Sequence, residues 1–210
     1  MEPADNPYSP PDATLLSPAE APVPAGWSSG QLRVLAGLSA AAALGSLPLM
    51  LLWLIGLKGH QALMPHLAWL NPLTALLGAY LLLRLKAFLG ARFGVATLGL
   101  ATWSVIAMEG VIQLFWADPQ LGLPGDWQVL AYLAAVSLHG LGLAWLGVRL
   151  VRTRKVYAVL RLFGWLLLLG GLLRSSVALA SLASLPLLGA QLALVAVLLR
   201  GASELRARGR

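Results

Sequence analysis

The sequence predicts an all-α membrane protein, a polytopic transmembrane helical bundle of about six helices. Three observations lead to this fold class. The 210 residues are 59% hydrophobic and 11% charged, with a mean hydropathy of +0.78, which is more apolar surface than one soluble core of this size could bury. The apolar residues form long runs, and most basic residues fall on one predicted side of the membrane. The bilayer is therefore the expected solvent of the chain.

Each apolar run is long enough to cross the hydrocarbon core, which takes about 20 helical residues. Runs of this length without polar–apolar alternation exclude a membrane β-barrel. One continuous helix over 156–199 would be too long for the bilayer, so we expect a turn at Arg174-Ser175-Ser176. The second helix either starts at Asn71-Pro72 or starts near Pro65 and kinks there. We expect the six helices at about 33–57, 67–87, 93–116, 127–148, 156–174 and 177–199.

The first 30 residues differ in composition from the rest of the chain. They hold seven of the 13 prolines and four acids, but no lysine or arginine. Such a segment buries too little apolar surface to offset its ordering entropy, so we expect a disordered Pro-rich acidic tail over 1–30. It is not expected to be a signal peptide, whose first residues are basic. The six-helix transmembrane domain is predicted over 31–200 and a basic C-terminal tail over 201–210.

The distribution of charge predicts the orientation in the membrane. With six spans, thirteen of the 15 lysines and arginines share the side that carries both termini. Cytoplasmic loops carry such an excess, so both termini are predicted to be cytoplasmic. This topology also explains the net charge of +7 without a nucleic-acid partner, which would need its basic residues on one face of a folded domain. The residues on this side are Arg33, Arg84, Lys86, Arg92, Arg149, Arg152, Arg154, Lys155, Arg161, Arg200, Arg206, Arg208 and Arg210.

Glu109 is the most unusual residue, because a carboxylate in a membrane helix is costly unless it is paired, protonated or hydrated. Gln113 follows one turn later on the same helix face. Counted from the cytoplasmic ends of their helices, Glu109 and Arg174 lie at similar heights of roughly 24 and 27 Å, so they could form an ion pair. Two interpretations stay open. Glu109 is a proton or cation site, or it is a structural partner of Arg174 or a residue hydrated from outside.

His139 lies near the middle of the fourth predicted helix. It could relay protons or bind a cofactor, or it could be a neutral histidine hydrogen-bonded between helices. Haem held by two histidines would need a partner at the same depth, and His60 and His66 fall in or beside the first outer loop. We therefore predict no cofactor. The lack of cysteine excludes thiolate metal sites, and no metal-binding, nucleotide-binding or catalytic motif is recognisable, so an enzyme is not expected.

Two kinds of surface could bind partners other than bulk lipid. The basic residues Arg152, Arg154 and Lys155 could bind anionic lipid headgroups, although a role in topology alone explains them as well. Small residues at four-residue spacing let helix backbones approach closely, within one chain, between copies or with another membrane protein. Such spacing occurs twice, at Gly37, Ala41 and Gly45 in helix one and at Ser176, Ala180 and Ser184 in helix six.

Short segments resemble bacterial six-helix integral membrane proteins that are grouped as a domain of unknown function. They are Arg33-Val34-Leu35-Ala36-Gly37 at the start of helix one, His139-Gly140 in helix four, and a basic loop leading to Gly164 and Gly170-Gly171. The resemblance implies a multi-pass protein of the bacterial inner membrane, and it implies no mechanism.

The sequence favours a non-catalytic structural, regulatory or partner-binding membrane component. The main reason is the small number of polar groups in its apolar helices. The alternative is a small transporter or ion-coupled permease that uses Glu109 and His139. A transporter should contain a polar cavity near the middle of the membrane.

Overall fold

A computed structural model of the chain describes residues 26–55, 69–95, 97–117, 125–153 and 156–208. Within these ranges the regular elements are all helical and there is no strand, so the predicted fold class is confirmed. These ranges contain six α-helices, in agreement with the predicted number. They are α1 (Ser29–Ile55), α2 (Leu70–Phe93), α3 (Gly99–Ala117), α4 (Gly125–Arg152), α5 (Ala158–Ser175) and α6 (Ser184–Arg208), with a 3-10 turn at Val177–Leu179 before α6.

Among the described residues, four helices are both long and apolar enough to cross a membrane. The described part of α3 is apolar but shorter, over Gly99–Phe115. The protein is therefore a membrane-embedded helical protein, whereas the cytoplasmic location of its termini stays a prediction. The four spans are Leu70–Phe93, Asp126–Arg152, Ala158–Ser175 and Ser184–Ala207.

Helix α1 begins with a reciprocal capping arrangement. The backbone N–H of Gln31 donates to the Ser28 hydroxyl, and the N–H of Ser28 donates to Gln31 Oε1, each over 3.1 Å. These two bonds satisfy amides that have no partner within the helix. Trp27, just before the cap, packs edge-to-face on Phe88 of α2 and lies under the Arg84 guanidinium. The start of α1 therefore packs against α2.

Helix α2 resolves the open question about Asn71-Pro72. The helix begins at Leu70, so Pro72 falls in the first turn, where a missing N–H costs no intrahelical bond. Pro65 lies outside the described residues. At its other end α2 stops at Gly94, which adopts the left-handed conformation with φ 67° and donates its N–H to the Gly90 carbonyl at 3.0 Å.

The break between α5 and α6 falls where the sequence predicts it, but it is longer. Helix α5 ends at Ser175, and α6 begins only at Ser184. Ser176 and Ala180 lie in the connection, so the predicted small-residue face on helix six is wrong. Helix α6 then continues to Arg208, so most of the predicted C-terminal tail is helical.

The closest helix contact joins α4 and α5, which run antiparallel. A Cβ atom on Gly147 would lie 2.6 Å from the Gly164 carbonyl oxygen, and one on Gly140 would lie 2.5 Å from the Ser175 backbone nitrogen. Backbones can approach this closely only where side chains are absent, which is how membrane helices gain packing energy in the absence of a hydrophobic driving force.

The other predicted small-residue face, on α1, contacts the rest of the described chain at one position. A Cβ on Gly45 would lie 3.3 Å from Thr74 Cγ2 of α2, whereas a Cβ on Gly37 would meet nothing within 4 Å. Ala41 is exposed. The outer part of this face therefore points away from the bundle.

Candidate functional site

A cavity of about 300 Å³, partly open to the surface, lies between the helices. All six helices contribute to its wall, which carries the acid Glu109 from α3, His139 from α4 and Arg174 from α5. Three of the four residues predicted as an intramembrane polar site thus line one space. The fourth, Gln113, contacts Glu109 directly.

Glu109 is held by an amide chain that links α3 to α2. The Gln113 side chain, one turn further along α3, donates Nε2–H to Glu109 Oε1 at 2.7 Å. Asn71, in the first turn of α2, donates Nδ2–H to Gln113 Oε1 at 3.2 Å. Because an α-helix places residues i and i+4 on one face, the spacing of Glu109 and Gln113 is sufficient for the first bond. The second requires α2 and α3 to meet.

The second oxygen of Glu109 faces His139. His139 Nε2 lies 3.5 Å from Glu109 Oε2, a distance at which a protonated imidazole forms an ion pair. His139 is 6% exposed and lies near the middle of α4, roughly 20 Å from either end at about 1.5 Å per residue. A carboxylate and an imidazole in contact can hold a shared proton, and this contact lies near the middle of α4.

Arg174 lies in the last turn of α5, near the end of the cavity that also holds Asn71. In the described part of the chain its guanidinium forms no ion pair, and its Nε atom is buried without a hydrogen-bond partner. The proposed pairing of Glu109 with Arg174 is replaced by Glu109 with His139. The physical reason is helix order, because α4 packs against both α3 and α5 and so presents His139 to Glu109 first.

The α1–α6 wall of the cavity adds neutral polar groups. Ser39 donates its hydroxyl to the Gln191 backbone carbonyl at 3.3 Å. The Ser46 hydroxyl donates to the Ala43 carbonyl at 2.8 Å and lies 3.4 Å from Gln191 Oε1. Thr74 of α2 donates to the Leu70 carbonyl at 2.8 Å. These hydroxyl protons are therefore already engaged within the protein. Apolar side chains complete the wall, among them Leu143, Phe163, Leu167, Leu187 and Leu194.

Sequence reasoning did not identify Asn71 and Gln191 as site residues. Each is an uncharged polar residue in an otherwise apolar helix, which is the signal that could have identified it. Asn71 was interpreted only as a helix start, and Gln191 was not considered. Ser39, Ser46 and Thr74 carry no such signal, because small hydroxyl residues are common in membrane helices.

Cofactor and metal predictions can be compared with the described residues only. No group of three or more His, Cys, Asp or Glu side chains that could hold a metal ion occurs among them. His60 and His66, which were weighed as haem ligands, lie outside the described residues. The cavity itself offers one histidine and one carboxylate.

A second polar cluster lies at the opposite end of the bundle and centres on Glu204 of α6. Tyr157 donates its hydroxyl to Glu204 Oε2 at 2.7 Å, and the guanidinium groups of Arg92 and Arg200 lie 3.5 and 3.9 Å from the same carboxylate. Burial, and then the hydrogen bond to Glu204, raise the pKa of Tyr157 to about 12. This cluster joins the ends of α2, α5 and α6.

The predicted anionic-lipid contact is only partly described. Arg152 is exposed at the end of α4, as a headgroup contact requires, whereas Arg154 and Lys155 lie outside the described residues. Arg152 lies on the same end of the bundle as the Glu204 cluster, because α4 and α5 are antiparallel. Lipid binding by this group stays a prediction.

The fold and the cavity together define the chain as a helical membrane protein with a polar site enclosed by its helices. No family model matches the chain, and no curated protein or solved structure is detectably similar to it.

Proposed function

We propose that the chain is a small ion-coupled permease, in which the cavity binds a solute and the Glu109–His139 pair binds the coupling proton. The observation that carries this proposal is the contact of Glu109 with His139 on the wall of a cavity that all six helices line. Transporters commonly bind their substrates near the bilayer midplane between helices. A cavity between the helices therefore supports the proposal.

The energetics of intramembrane charge support a functional role for the pair. An ionisable side chain inside a membrane is costly, and such residues commonly mark ion pathways or proton relays. Histidine is the side chain whose ordinary titration falls near physiological pH. Together with a carboxylate it provides a site that can gain and release one proton as its surroundings change.

The competing prediction is a non-catalytic structural, regulatory or partner-binding component. For such a protein Glu109 and His139 would only join α3 to α4, and solutes would have no effect on them. The exposed Gly37 and Ala41 of α1 would be its natural contact with a second copy or another membrane protein. The proposed permease is a multi-pass protein of the cell membrane, and the charge distribution supports cytoplasmic termini.

Proton movement in proteoliposomes tests the proposal. Vesicles with the purified protein and an internal pH-sensitive dye are exposed to a panel of small anionic, neutral and cationic solutes. We expect at least one solute class to drive proton movement in vesicles with the wild-type protein. Glu109→Gln and His139→Gln should reduce the rate at least about a hundredfold, the lower end of what a positioned proton-transfer group contributes.

Asp126→Asn is the matched control, because it makes the same chemical change as Glu109→Gln at an exposed carboxylate in the first turn of α4. It should leave the rate unchanged. Proton movement that is absent with every solute, or equal in wild type and Glu109→Gln, would refute the permease.

A further inference from the structure

The charged side chains on the cavity wall differ in whether they have partners. Glu109 accepts a hydrogen bond from Gln113 and faces His139, so both of its oxygens have a donor nearby. Arg174 lines the same cavity without a carboxylate partner in the described part of the chain. The helices α1, α2 and α6 contribute only neutral side chains to the lining. The cavity therefore holds a guanidinium that makes no direct ion pair in the described part of the chain and whose Nε atom has no hydrogen-bond partner.

We propose that the solute of the permease is a short-chain monocarboxylate, whose carboxylate binds Arg174 and whose hydrocarbon chain lies against the apolar wall. This inference rests on the proposed function and adds the substrate class. A guanidinium matches a carboxylate with two parallel hydrogen bonds. The apolar part of the wall includes Leu143, Phe163, Leu167 and Leu187, which suits a hydrocarbon chain and not a second charged group.

The size of the cavity suits a short solute. At about 300 Å³ it lies at the lower end of the range for small-molecule sites. A carboxylate of a few carbon atoms fits inside it, whereas a long acyl chain would have to extend through its open side.

The acid in the cavity explains why a proton would accompany the anion. Glu109 repels a bound carboxylate unless the Glu109–His139 pair has taken up a proton, because like charges disfavour each other at short range. With neutral His139, the charges of Glu109 and Arg174 cancel. Adding one proton and one monovalent anion keeps the site neutral, and a neutral site is the cheapest state inside a membrane. Proton and anion are thus expected to bind together.

Calorimetric titration of the purified full-length protein in detergent tests this proposal. The ligands are butyrate, its neutral amide butyramide and the cation n-butylammonium, which have similar hydrocarbon chains and differ in charge. We expect butyrate to bind, more tightly at about pH 6 than at about pH 8, with a change approaching tenfold per pH unit for one coupled proton. Butyramide and n-butylammonium should bind at least about tenfold more weakly, because they lack the charge that Arg174 recognises.

Three variants connect the result to Arg174. Arg174→Gln should abolish butyrate binding. Arg174→Lys keeps the positive charge and a long side chain at this position, so it should retain weaker binding. Arg161→Gln on the same helix is the matched control, because Arg161 is exposed and outside the cavity wall. It should bind butyrate like the wild type.

Any other outcome would refute the binding of a monocarboxylate at Arg174, and each would indicate a different property of the cavity. Equal binding of butyramide and butyrate, or butyrate binding unchanged in Arg174→Gln, would refute anion recognition by Arg174. Selective binding of n-butylammonium would show a cation site. If none of the three ligands binds to the wild type, the monocarboxylate is wrong, and the proton-movement assay with its wider panel still decides the permease separately.

Discussion

A Cβ atom on Gly171 of α5 would lie 2.5 Å from the carbonyl oxygen of Gly140 on α4, so the two helices touch backbone to backbone at this level. Gly140 directly follows His139, and Gly171 lies one turn before Arg174. The close contact therefore places two cavity side chains from different helices at the same height. The same approach would be blocked by any side chain larger than hydrogen.

The first prediction concerns this contact. Gly140→Ala should destabilise the protein by about 1–3 kcal/mol, because the added methyl would have to displace the α5 backbone at Gly171 and Ser175. Thermal unfolding in detergent measures the loss. Gly37→Ala is the control, since a Cβ there meets nothing within 4 Å, and it should be neutral or slightly stabilising. Equal effects of the two substitutions would contradict the packing.

A second prediction separates the structural and chemical roles of Glu109. Glu109→Gln keeps an acceptor for Gln113, so the fold should stay within about 1 kcal/mol of wild type. Glu109→Ala leaves the Gln113 amide and His139 without this partner, and it should cost about 1–3 kcal/mol. Thermal unfolding compares them, with Asp126→Ala as the exposed control. If the alanine variant were as stable as the glutamine variant, the contacts of Glu109 with Gln113 and His139 would contribute nothing to the stability of the fold.

A third prediction follows from the pKa of Tyr157. The phenol ionises at about 12 in the folded protein and at 10.0 when unperturbed, so the folded state favours the neutral form. Stability from this group is complete below pH 10 and falls as pH rises from 10 towards 12, by at most about 1.4 kcal/mol per pH unit. Melting temperatures of wild type and Tyr157→Phe across this range should show the additional alkaline loss only in wild type. Parallel curves would contradict the role of the Tyr157–Glu204 bond.

A fourth prediction concerns orientation. Reporters fused at the C-terminus should be active only in the cytoplasm, and reporters inserted between α3 and α4, at 118–124, only outside it, because the basic residues collect at the opposite helix ends. The measurement is the activity ratio of a reporter that works in the cytoplasm to one that works outside. A C-terminus found outside would refute the orientation.

The sequence predicts which residues form the candidate site better than it predicts which of them contact one another. Glu109, Gln113, His139 and Arg174 stand out because polar side chains are costly in apolar helices. Gln113 could be assigned to Glu109 from helix periodicity alone. The partner of the other Glu109 oxygen could not be assigned from the sequence. His139 and Arg174 lie on different helices, and the arrangement of these helices around α3 decides which of the two reaches Glu109.

The same distinction applies to the helix ends. The polar segment Arg174-Ser175-Ser176 marks the end of α5 because a span cannot exceed the bilayer, but the start of α6 at Ser184 has no comparable polar signal. The capping pair of Ser28 and Gln31 is readable in the sequence as a local motif, although its attachment to α2 through Trp27 and Phe88 is not.

The sequence by itself determined that the chain is an all-α membrane protein and predicted the six helices found in its described part, because both depend on the length and composition of each segment relative to the bilayer. It also marked the few polar residues whose burial needs a reason. The tertiary structure alone decided that Glu109 faces His139, that Arg174 remains unpaired among the described residues, and that all six helices enclose one cavity around them. These relationships depend on helix rotation and separation, which are set where glycine backbones meet, as at Gly140 and Gly171.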